Sequence, residues 1–103
     1  MIALPIVRII ADFLVFFNLA DEDVLDADVA IKMMEGLGGD LQALDKQLLR
    51  ELVDAFEAIA SEYSGEAQEV VRNFAYSFYL EEALAADDPV RLAELEAIRD
   101  ARD

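Results

Sequence analysis

Carboxylates are the side chains with the most scope for chemistry in this sequence. Asp21, Glu22, Asp23, Asp26 and Asp28 put five of them into eight positions. Oxygen ligands at that density suggest calcium first. An EF-hand loop needs oxygens at alternate positions, a glycine sixth and a glutamate twelfth. Counted from Asp21, the fifth residue is Leu25, the sixth Asp26 and the twelfth Lys32. The pattern fails, and no metal site is assigned. The run suits the start of a helix, whose positive dipole end favours acids, with Asp26 or Asp28 as N-cap. It also suits a docking patch for a basic partner, because such acids steer encounter and set specificity.

Acid–base catalysis by paired carboxylates needs two groups that converge. Glu81 and Glu82 are adjacent, and Glu94 and Glu96 alternate, so on helices each pair diverges. The chain has no histidine. That removes every histidine triad, every imidazole metal site and the Glu-x-x-His motif of di-iron bundles. It has no cysteine either, hence no disulfide, thiolate nucleophile or cysteine-ligated zinc. Gly36-Leu37-Gly38-Gly39 lacks the lysine-serine ending of a phosphate loop. No catalytic residue, cofactor or metal is assigned, and the expectation is a protein that is not an enzyme.

Two further sets could contact a partner. Glu51, Asp54 and Glu57 repeat every three residues, about 4.5 Å of rise apart on a helix. They form a negative row that could imitate phosphates or meet arginines, partly neutralised by Arg50 four residues before Asp54. The blander reading is the charged outer face of any bundle helix. Tyr76 and Tyr79, with Leu80, lie on what reads as a second apolar face of their helix. Tyrosine is favoured in binding hot spots because it brings area with a polar tip. The blander reading there is burial under the last helix.

These groups must be held by helices. The chain has 103 residues, 56 % of them apolar, with four glycines and two prolines. That is one domain, 1–103, with enough apolar content for a core. Acids number 23 against eight basic residues, for a net charge of −15. Such a surface repels nucleic acid and anionic membrane and attracts basic partners; it also serves plain solubility. The apolar start from Met1 to Ala20 is interrupted by Arg8 and Asp12, so it falls short of the roughly 20 residues a membrane span needs. It also lacks the basic leader of a signal peptide.

Helical periodicity divides the chain into five. The first helix is expected over about Pro5–Asn18, with Arg8 and Asp12 pairing at i, i+4 and the rest so apolar that it should lie at the centre of the bundle. An alternative is that part of it forms a dimer seam or a partner groove. The second carries Ala30, Met34, Leu37, Leu41 and Leu44 in one seam. That unbroken seam predicts a continuous helix through Gly38-Gly39 to about Ala43, possible for glycines that admit a close neighbour. The third begins after Asp45 as N-cap and ends near Tyr63, with Leu48, Leu49, Leu52, Val53, Phe56, Ile59, Ala60 and Tyr63 inward. The fourth is expected unbroken over about Glu66–Ala85. Asp87-Asp88-Pro89 then caps a fifth, with Leu92, Leu95 and Ile98 as its stripe. The fold class is all-α, a single bundle of four to five helices with short loops.

The stretch from Phe17 to Ala60 resembles a group of short, acidic, helical bacterial proteins. The likeness rests on Phe17-Asn18-Leu19-Ala20-Asp21-Glu22-Asp23-Val24-Leu25-Asp26, on Val29-Ala30-Ile31, and on Leu41-Gln42-Ala43-Leu44 before the third helix. More loosely, the chain is similar to the immunity proteins of bacterial toxin systems. That resemblance implies an inhibitor and identifies no residue. The leading expectation is a non-catalytic cytoplasmic protein that binds a basic protein, such as a nuclease-type toxin or another nucleic-acid-binding enzyme. The partner-binding residues would be Asp21, Glu22, Asp23, Asp26, Asp28, Glu51, Asp54, Glu57, Tyr76 and Tyr79. Two alternatives are a homo-oligomerising structural module, such as a homodimer, with the first or fourth helix as its seam and the acids for solubility only, and a phage-type mimic of nucleic acid. Neither cofactor, membrane contact nor direct nucleic-acid binding is expected.

Overall fold

Pro5 fixes the first turn of α1, Leu4–Leu19, where a missing N–H costs nothing. The computed structural model describes residues 2–102, all of them helix, turn or coil, with no strand among them. Six further helices follow: α2 Ala27–Gln42, α3 Lys46–Ile59, α4 Gly65–Arg72, α5 Phe74–Ser77, α6 Leu80–Leu84 and α7 Pro89–Arg102. A 3₁₀ turn, Ala60–Glu62, extends α3. None of these described helices is long and apolar enough to cross a membrane.

Capping acids set the starts. The Asp26 carboxylate accepts from the backbone N–H of Asp28 and Val29 at 2.9 and 3.2 Å. Asp45 does the same for Gln47 and Leu48. Asp88 accepts from the N–H of Arg91 at 3.1 Å, next to Pro89. Each satisfies donors that the first turn leaves unpaired.

The central helix is α3, where α1 had been expected. α3 buries Leu49, Leu52, Val53, Ala55, Phe56 and Ile59 and packs against α1, α4, α5 and α6. α1 fully buries only Val7, Ala11 and Leu14. A helix apolar on nearly every side does not reveal which side is covered. Arg8 and Asp12 do not pair with each other. Arg8 forms a two-pronged bond to Glu62 at 2.8 and 2.9 Å, and Asp12 accepts from the Tyr63 hydroxyl at 2.7 Å. Both clamp α1 onto the end of α3. Partial burial, then the bond to Asp12, pushes the Tyr63 hydroxyl up to about 12.

α2 is continuous through its glycines. Gly38 is buried, and a Cβ built there would lie 3.2 Å from Cδ1 of Phe78. The same atom at Gly39 would meet nothing within 4 Å. The two positions should therefore respond oppositely. Gly39→Ala is expected to stabilise the protein by up to about 1 kcal/mol through helix propensity. Gly38→Val drives a branched side chain into the Phe78 ring and is expected to cost about 1–3 kcal/mol. Thermal unfolding of the two variants checks this; a gain at both positions would contradict the close approach.

The expected fourth helix is broken twice. α4 ends at Arg72, α5 has four residues, and α6 starts after Tyr79. Tyr79 has φ of +56°, the left-handed conformation that turns the chain. Side chains from other helices take the carbonyls that the break exposes. Gln42 Nε2 donates to the Phe78 carbonyl at 2.8 Å, and Arg99 donates to that of Tyr76 at 3.0 Å. The break also relocates Leu80, which was expected to point away from the core and is fully buried.

Candidate protein-binding surface

The five acids of the first run sit between α1 and the first turn of α2, and all are exposed. A short turn starts them off, with the N–H of Val24 and Leu25 both donating to the Asp21 carbonyl at 2.9 Å. Asp26 then caps α2, and Asp28 lies in its first turn. Among the described residues no ion pair engages any of these five carboxylates. Between Asp21 and Asp45 the sequence has eight acids and one base, Lys32.

The cations serve other carboxylates. Lys46 holds Asp87 at 2.8 Å, and this bond keeps the Asp87 carboxyl below its ordinary range. Glu62 is held low in the same way by Arg8. Arg91 meets Glu94, and Arg99 meets Glu82. The negative surplus of the first run is therefore left facing solvent. It is met by the amide dipoles of α2 and by water.

The second acidic set fares differently. Arg50 donates to both oxygens of Glu81 at 3.0 and 2.7 Å and to Asp54 at 2.9 and 3.2 Å. The bond to Glu81 is the chief reason its guanidinium is held even more firmly protonated than usual. Asp54 is thus partly offset, sharing one guanidinium with Glu81. Glu51 is half-buried and engaged, while Glu57 is exposed. The three do not present a free row.

Tyr76 and Tyr79 are covered by α7, though by charge more than by burial. The Arg99 guanidinium lies 4.0 Å from the Tyr76 ring centre and 3.8 Å from that of Tyr79. Arg102 lies 3.7 Å from the Tyr76 ring. These are cation–π contacts. Tyr76 borders a cleft of about 310 Å³ with Glu57, Arg72 and Arg91.

Tyr79 also reaches the other side of the break. With Phe17, Ala30, Ile31, Met34 and Phe78 it lines an apolar groove of about 530 Å³ between α2 and the α5–α6 break. Gly38 forms part of the wall, and its missing side chain leaves the Phe78 ring in place. Asp28 is two residues before Ala30 on the same helix. Glu35 is the carboxylate that lines the groove; the acidic run lies before and in the first turn of the same helix, and Asp54 and Tyr76 lie elsewhere. Phe17, Ile31 and Met34 had not been singled out as site residues. Met34 was read only as part of the α2 seam, and only the left-handed turn at Tyr79 shows that the seam opens beside an aromatic ring. Among the described residues no group of acids is arranged to hold a metal ion.

Comparisons with protein-family models, curated proteins and solved structures find no match to this chain.

Proposed function

We propose that the chain is a non-catalytic, cytoplasmic inhibitor that binds a basic protein through the acidic run and the groove beside it. Its concrete form is an immunity protein or antitoxin that masks a nuclease-type toxin. One observation carries the reading: five exposed carboxylates, free of ion pairs among the described residues, lead into α2, the helix that forms one wall of an open apolar groove. Acids of that kind speed encounter and select basic partners, while apolar groups supply most of the affinity. The partner segment would be basic with an apolar face, set against Ile31, Met34 and Tyr79. The five longer helices serve as one bundle, whose role is to hold α2 beside the α5–α6 break.

The mimic of nucleic acid draws less support, because Arg50 engages the middle of the Glu51–Asp54–Glu57 row. The test compares two variants against an arginine-rich peptide. One neutralises Asp21, Glu22, Asp23 and Asp28; the other neutralises four exposed acids on α4 and α7. The reading requires the first to lose binding and the second to keep it. Equal losses would leave only a general attraction of opposite charges.

A further inference from the structure

The outward face of α1 is unused by that reading. Ile6, Ile9, Phe13 and Phe16 lie along it, each 46 to 61 % exposed. They are three, four and three residues apart. This is the a/d repeat that keeps one seam turned towards a partner helix. The seam carries no charge. Arg8 sits off it, held by Glu62; Asp12 borders it beside Phe13 and Phe16 and accepts from the Tyr63 hydroxyl of the same molecule. The four seam side chains are all apolar, so an apolar seam matches them best.

We propose that a second copy of this chain covers the seam, α1 against α1, antiparallel about a two-fold axis midway between Ile9 and Phe13. A two-fold interface must be complementary to itself, and this order of side chains is. Antiparallel pairing sets Ile9 against Phe13 and Ile6 against Phe16, a smaller side chain facing a larger one in every layer. Two of the four half-exposed side chains are aromatic, of roughly 150–250 Å² each, and the smaller isoleucines bring the seam to on the order of 300–400 Å² per copy. Counted on both copies that is about 600–800 Å², below the ~1,000 Å² of a stable interface, so the pair is a weak and concentration-dependent one. The net charge of −15 does not forbid the pair. Residues 2–20 contain one arginine and one aspartate, so the repelling acids lie off the seam, where salt screens them. A lipid surface fits less well, since a helix lying on a membrane shows a lysine- and arginine-rich polar face.

Sedimentation equilibrium of the full chain over a concentration series, at low and high salt, tests the proposal. The expected result is a dimer whose population rises with salt. Ile9→Gln/Phe13→Gln should be monomeric at the same concentrations with unchanged helix content, because both side chains are already exposed in the single copy. The variant neutralised at Asp21, Glu22, Asp23 and Asp28 should dimerise at least as well as the natural chain, which separates this interface from the basic-partner site. A natural chain that stays monomeric up to about 100 μM, a free energy of only some −5.5 kcal/mol, overturns the proposal. So does a dimer that survives the glutamine pair, or a monomer whose seam instead binds phosphatidylcholine vesicles.

Discussion

Phe74→Ala is expected to destabilise the protein by about 3–5 kcal/mol, the range for truncating a buried phenylalanine. The ring is almost fully buried, stacked on Phe56 with centres 3.7 Å apart and met edge-on by Phe78 at 5.7 Å. It is also the only fully buried side chain of α5. A four-residue helix has too few bonds of its own to persist without that anchor. Domains of this size have about 5–15 kcal/mol in total, so the variant should unfold at much lower urea concentration. It should also lose order in α5 and α6 before the rest. Urea unfolding followed by circular dichroism measures the cost. A loss below about 1 kcal/mol, the effect of an ordinary surface substitution, would contradict the packing of the broken segment.

The second large effect concerns association. Asp21→Asn/Glu22→Gln/Asp23→Asn/Asp28→Asn removes four charges and spares Asp26, whose carboxylate caps α2 and is worth about 1 kcal/mol. Charge steering raises association rates by about 10- to 1,000-fold. The variant should therefore bind an arginine-rich peptide at least about tenfold more slowly at low salt. The comparison variant is Glu66→Gln/Glu69→Gln/Glu96→Gln/Asp100→Asn, at exposed positions on α4 and α7. It has the same net charge and should lose less than about threefold, because its acids lie on helices other than the one that walls the groove. Raising salt from about 0.1 to 1 M shortens the screening length from about 10 to 3 Å, and the gap between the variants should close. A gap that persists in high salt would assign the loss to altered folding of the α1–α2 connection. Stopped-flow fluorescence of a labelled peptide separates these outcomes.

Features that depend on neighbours in sequence were legible in it. The caps follow from short polar side chains just before apolar periodicity, which single out Asp45 and leave Asp26 and Asp88 each as one of two neighbouring candidates. The continuity of α2 followed from an unbroken seam, which outweighed two glycines because Gly38 is needed small beside Phe78. Features that depend on distant partners were not legible. No glycine or proline marks the break after Arg72; Gln42 and Arg99, from α2 and α7, hold it open. One clue was present in the two apolar faces of the expected fourth helix. A straight helix cannot bury both Phe78 and Leu80 against one core, and a left-handed residue between them can. Arg8 likewise had a plausible partner four residues away and took Glu62 instead. The acidic run was visible as composition. The groove beside it was not, because it exists only where α2 passes the α5–α6 break.

Titration of ¹⁵N-labelled protein with a deca-arginine peptide tests most directly whether the unpaired acids and the groove act as one site. Amide shifts should concentrate between Asp21 and Met34 and at Phe78 and Tyr79, and should fade as salt is added. Shifts spread evenly over α3, α4 and α7, or confined to the cleft around Tyr76, would contradict it.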